Sequence, residues 1–97
     1  MGHIISTNNE STDLQSELIL RVDTFEKLKK FISKTTSFDC EIDVIRGKYI
    51  IDGKSILGLM SLNILEPINV RIITEDREVI KRFNKEMEKF RIESNCK

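Results

Sequence analysis

The chain has no tryptophan, one proline, one histidine, two cysteines and four glycines in 97 residues. Each shortage closes off a class of protein. So little proline and glycine excludes collagen-like and low-complexity chains. Cys40 and Cys96 cannot build a disulfide framework, and with His3 as the only histidine they do not complete a zinc site. No metal and no cofactor is therefore expected, and both thiols are expected free in a reducing cytoplasm. There the Asn9-Glu10-Ser11 sequon has no meaning. No apolar run approaches the roughly 18 residues of a membrane span. Ile4-Ile5 is followed at once by polar residues, so no secretory signal is read. Met1-Gly2-His3-Ile4-Ile5-Ser6 fits a myristoylation pattern, but patterns this short match by chance. Excess charge of either sign is missing too: Lys+Arg 16 balances Asp+Glu 16. A dedicated nucleic-acid binder would show a basic surplus.

What is present is ordinary globular material, 39% hydrophobic and 33% charged, enough for one domain with a modest core. Residues 1–13 are polar and aperiodic and are expected to form a tail, with the domain over 14–92 and a short tail over 93–97. Leu18, Leu20 and Val22 alternate with Ile19 and Arg21, as in a strand with one apolar face. Asp23, Thr24 and Glu26 resemble a capped helix start, and Phe25, Leu28, Phe31, Ile32 and Thr35 fall on one helical face. Cys40, Ile42 and Val44 alternate with Glu41 and Asp43, Arg46-Gly47-Lys48 turns, and Tyr49-Ile50-Ile51 returns, giving a hairpin. A short helix is expected near 55–62, with Ser55 as N-cap and Asn63 just past its end. Ile68, Val70 and Ile72 give a fourth strand. Thr74 is expected to cap a final helix with the stripe Val79, Ile80, Phe83, Met87 and Phe90. The order β-α-β-β-α-β-α, with clean alternation, predicts an α+β open-faced β-sandwich: a four-stranded antiparallel sheet covered on one face by three helices.

No catalytic constellation emerges, and the chain is not expected to be an enzyme. Gly47…Gly53-Lys54-Ser55 approaches the phosphate loop G-x-x-x-x-G-K-[ST], but five residues separate the glycines instead of four, and Tyr49-Ile50-Ile51 reads as strand. Cys40, on an apolar face, is expected to be an inert thiol. Lys27, Lys29, Lys30 and Lys34 could face nucleic acid, but a solvated helix face is the expected reading. Glu78 and Arg82 are spaced for an i,i+4 pair. Ser55 differs from these. As an N-cap it would be an ordinary residue, yet a phosphate on it would meet free N–H groups at the positive end of a helix. Leu59 and Leu62 are expected to point inward. Ile56, Leu57 and Met60 would then form an exposed apolar patch suited to a partner.

Lys54-Ser55-Ile56-Leu57-Gly58-Leu59-Met60-Ser61-Leu62 closely resembles the regulatory serine segment of HPr, the histidine phosphocarrier of the bacterial phosphotransferase sugar-uptake system. In Gram-positive members that segment reads approximately K-S-I-M-G-V-M-S-L. The resemblance extends over about residues 17–90, through the element order, Phe38-Asp39, the Gly47-Lys48 turn and the final helix. It implies the same open-faced sandwich. It also implies a departure. HPr carries G-[hydrophobic]-H-[small]-R-P at the start of its first helix, and that histidine takes phosphate from phosphoenolpyruvate through enzyme I. Here the stretch is Arg21-Val22-Asp23-Thr24-Phe25-Glu26-Lys27, with no histidine, arginine or proline. Asp23 or Thr24 stands in the histidine's place and Glu26 falls near the arginine's, where a carboxylate would repel an incoming phosphoryl group. The resemblance thus implies Ser55 as a target of an HPr kinase. Lys54, Ile56, Leu57 and Met60 would be the surface read by a transcriptional regulator. A phosphocarrier using Asp23 as acceptor, and a nucleic-acid-binding domain using the Lys27–Lys34 face, are the alternatives.

Overall fold

The computed structural model describes residues 14–92. The expected tails over 1–13 and 93–97, with His3, the Asn9 sequon and Cys96, lie outside the described residues. Four strands, β1 (Glu17–Leu20), β2 (Glu41–Arg46), β3 (Tyr49–Asp52) and β4 (Ile68–Ile73), form one antiparallel sheet in the order β1-β4-β2-β3. Three α-helices accompany it: α1 (Phe25–Thr35), α2 (Ile56–Met60) and α3 (Arg77–Glu86), the last followed by a 3₁₀ turn over Glu88–Phe90. This is the expected α+β open-faced sandwich.

Period-two alternation sends Leu18, Leu20, Ile42, Val44, Ile68, Val70 and Ile72 to one side of the sheet, and all are buried. Leu28 and Phe31 of α1, Leu59 of α2 and Phe83 of α3 close over them, joined by Met87 and Phe90. Two edge-on aromatic pairs join the helical elements and the loop after α1 over the sheet: Phe31 with Phe90, centroids 6.0 Å apart, and Phe38 with Phe83, 6.2 Å apart. The hairpin between β2 and β3 turns on Gly47 and Lys48, because Arg46 pairs with Tyr49. Gly47 has φ 58°, the left-handed first position that primed hairpin turns require.

Several local expectations are corrected. Thr24, not Asp23, caps α1: its Oγ1 accepts the Lys27 N–H at 3.1 Å, which leaves Glu26 one place too early for a reciprocal capping box. Phe25 is half exposed, with Lys29 Nζ 5.3 Å from its ring centroid, so it belongs to the first surface turn and not to the core. Asp76, not Thr74, caps α3 by accepting the Glu78 N–H at 3.0 Å, while Thr74 Oγ1 accepts the Asp76 N–H just upstream. The carboxylate takes the cap because it is the polar side chain directly before the first helical residue. α3 stops at Glu86, and the 3₁₀ turn that follows carries Phe90 back onto α1. Arg82 turns away from Glu78. Its guanidinium lies 4.0 Å over the Phe38 ring and donates to Ser37 Oγ at 2.6 Å. α2 ends at Met60 with Ser61 as its cap, and Asn63 opens the next turn by accepting the Leu65 N–H.

Candidate functional site

The Ser55 segment is built where β3 hands over to α2. Asp52 closes the strand with a side-chain turn: its Oδ1 accepts the Lys54 N–H at 2.9 Å and its carbonyl accepts the Ser55 N–H at 3.1 Å. Gly53 then lies against β2, donating its N–H to Ile42 O at 2.7 Å. A Cβ at Gly53 would sit 2.8 Å from that carbonyl, so no other residue fits. On the opposite side the Gly53 carbonyl accepts the buried hydroxyl of Thr35, the last residue of α1, at 2.9 Å. Lys54 Nζ donates to Phe38 O at 2.6 Å. The segment is thus fixed from β2, from α1 and from the loop after α1.

Ser55 follows in extended conformation, φ −100° and ψ 110°, and is half-buried. Its Oγ accepts the Gly58 N–H at 3.1 Å and its carbonyl accepts the Leu59 N–H at 3.0 Å. The expected N-cap is therefore in place. Gly58 has a packing reason: a Cβ there would stand 2.9 Å from Ile51 Cγ2 and 3.3 Å from Ser55 Oγ. Leu59 anchors α2 in the core, at 1% exposure. Leu57 at 80% and Met60 at 53% point outward, Ile56 is half-buried, and Leu62 packs partly against the core. Leu57 and Met60 are thus the exposed part of the expected patch. Lys54 differs from expectation, since its ammonium turns inward to clip the loop. Neither that clip nor the Thr35 hydroxyl stood out in the sequence. The sequence signal for Thr35 was a hydroxyl on an otherwise apolar helix face.

Asp23 and Thr24, the pair in the histidine's place, have structural roles. Asp23 Oδ1 lies 3.3 Å from Lys27 Nζ, one turn on, and Thr24 is the α1 cap. The lysine face of α1 is partly neutralised. Lys27 goes to Asp23, Lys34 to Glu86 at 3.0 Å, and Lys29 to the Phe25 ring. The hydrogen bond from Lys34 holds the Glu86 carboxyl below its usual range; burial opposes it, and the charges of Lys34, Arg82 and Lys89 add to the lowering. Cys40 is a free, half-buried thiol just ahead of β2, packed partly against the core. Among the described residues no group of His, Cys, Asp and Glu is arranged to hold a metal ion, and no helix is long and apolar enough to cross a membrane.

A family model described as the PTS HPr component phosphorylation site matches residues 28–90. The match takes in the Ser55 segment and α3. It begins at Leu28, inside α1, so β1 and the stretch Asp23–Lys27 lie ahead of it. Among solved structures, the crystal structure of HPr-C-His from Thermoanaerobacter tengcongensis superposes with a TM-score of 0.60 at 18% identity, over 76% of this chain and 92% of that one. At that identity the likeness speaks for the fold. No curated protein sequence matches the chain.

Proposed function

The chain belongs to the HPr family of the phosphotransferase system, and from that premise we propose that it is a regulatory binding module and not a phosphate carrier. The observation behind this reading is a kept serine segment beside a lost histidine motif. Where the family's histidine would accept phosphate, this chain has Asp23 paired to Lys27 and Thr24 engaged as a helix cap. No imidazole stands there to take a phosphoryl group, and no arginine follows to stabilise one. In this reading the protein performs no chemistry of its own and acts in the cytoplasm.

Ser55 is the residue through which the module is switched. Its hydroxyl oxygen accepts one N–H and leaves its own proton free for exchange with a phosphoryl group. A phosphate there would add two negative charges, or nearly so, beside the outward Leu57 and Met60. A transcriptional regulator would then read an apolar patch with an adjacent dianion. The kinase would be an ATP-dependent HPr kinase.

The test is to incubate the protein with HPr kinase and ATP, and separately with enzyme I and phosphoenolpyruvate, and to read intact mass. One phosphate from the kinase, absent in Ser55→Ala, is the expected result. Phosphate acquired from enzyme I overturns the proposal. No addition from either enzyme leaves Ser55 as a plain cap and overturns its regulatory role.

A further inference from the structure

Among the described residues one face of the sheet carries no helix, and that face is not uniformly polar. Strand register places Ile19, Asn69, Ile45 and Ile50 in a single row across all four strands. Ile19 and Ile50, on the two edge strands, are 55% and 65% exposed, and Ile45 between them is half-buried. Strands lie about 4.8 Å apart, so the row is roughly 14 Å long. Two residues along each strand, the next row reads Glu17, Arg71, Asp43 and Asp52. Arg71 pairs with Glu17 at 3.3 Å. Asp43 and Asp52 stand directly opposite each other, and among the described residues no cation pairs with either. Lys54, the nearest lysine at the rim of the shallow depression they share, gives its ammonium to Phe38 O. Like charges directly opposite on a sheet repel; Arg71, opposite Asp43 on the β4 side, offsets part of this, and Asp52 on the edge strand has no cation opposite it.

We propose that the open face docks a basic amphipathic helix of a partner protein, with aliphatic side chains on the isoleucine row and Lys or Arg on Asp43 and Asp52. A helix rises 1.5 Å per residue, so about ten residues cover the row. Helices are also the cover that the opposite face already uses. Charge selects this occupant over the nearer ones. A second copy docking by the same face would bring the same carboxylates to the interface. Residues 1–13 of this chain contain Glu10 and Asp13 and no Lys or Arg. The surface meets the Ser55 segment at Asp52 and Lys54, but the isoleucine row lies apart from it and docking there does not require its phosphorylation.

The experiment uses the full chain, isotopically labelled, and titrates in a 14-residue leucine–lysine amphipathic peptide, with the matched leucine–glutamate peptide as control. Backbone amide shifts are followed by NMR. The expected result is saturable movement at Ile19, Asp43, Ile45 and Ile50 with the lysine peptide alone, weakening as salt is raised. Ile50→Glu, at an exposed position, should weaken it about tenfold. Asp43→Asn should flatten the salt dependence while keeping the folded spectrum. Shifts confined to other surfaces, no shifts, or equal binding of the glutamate peptide overturn the proposal. So does movement of these amides with protein concentration alone, which assigns the face to a second copy. So does their movement on deleting residues 1–13, which assigns it to the chain's own N-terminus.

Discussion

Thr35→Val removes one hydroxyl and almost nothing else, because valine has nearly the same shape. Thr35 is fully buried and its Oγ1 lies 2.9 Å from Gly53 O and 3.1 Å from Ile32 O. Ile32 O keeps another donor, the Thr36 N–H at 2.9 Å. For the Gly53 carbonyl the hydroxyl is the donor among the described residues. The substitution therefore leaves a buried carbonyl unpaired, which costs about 1–3 kcal/mol. For a domain of this size that lowers Tm by about 5–15 °C, and it lowers the urea midpoint without changing the m-value. Thr36→Val is the control. Its exposed hydroxyl also bonds Ile32 O, at 2.9 Å, yet its loss should stay within about 0.5 kcal/mol because water replaces the bond. Amide exchange adds a local readout: Ser55 and Gly58 should exchange faster in Thr35→Val, since the loop loses its tie to α1. A Thr35→Val protein as stable as Thr36→Val would refute the view that this hydroxyl fixes the Ser55 loop.

Gly58→Ala should destabilise by about 1 kcal/mol or more, although alanine is the better helix former; its Cβ would press on Ile51 Cγ2 at 2.9 Å, and a rise in Tm would contradict that crowding. Leu57→Glu should leave stability within about 0.5 kcal/mol, since the side chain is 80% exposed. The same variant should weaken regulator binding to the phosphorylated protein by about tenfold or more in calorimetry. Glu86 has its carboxyl held below the usual range by Lys34. Its small contribution is thus fully present above the ordinary carboxylate range and is lost as pH falls through the lower folded value. The stability gap between wild type and Lys34→Met should therefore narrow on acidification in pH-dependent denaturation, and a constant gap would count against the pair.

Strand alternation and helical periodicity were strong enough in this chain to place every described strand and most core positions of the two long helices, although Phe25 is half exposed and Met87 and Phe90 lie past the end of α3. Those patterns are long-range sums over many residues, and single-residue competition does not disturb them. Helix starts were less legible. Asp23 beside Thr24, and Thr74 two residues before Asp76, each put two capping residue types near a helix start, and the backbone gives the helix N–H to Thr24 and to Asp76. The Ser55 cap had no such rival and was readable. Partner choice across the fold was not. The spacing of Arg82 suits Glu78, but Phe38 and Ser37, more than forty residues away in sequence, present a ring face and an oxygen together. The inward turn of Lys54 is of the same kind, because its acceptor is a main-chain carbonyl that leaves no mark on the sequence.

The order β1-β4-β2-β3 gives β4, the last of the described strands, a central place in the sheet. During synthesis the β2–β3 hairpin can close as soon as it emerges. β1, however, has no neighbour, and β2 has one bare edge, until residue 73 has left the ribosome. Only then can β4 complete the ladder on both sides at once, and the helix over Arg77–Glu86 follows it. A chain stalled before that point offers two unpaired strand edges to its neighbours, one on β1 and one on β2.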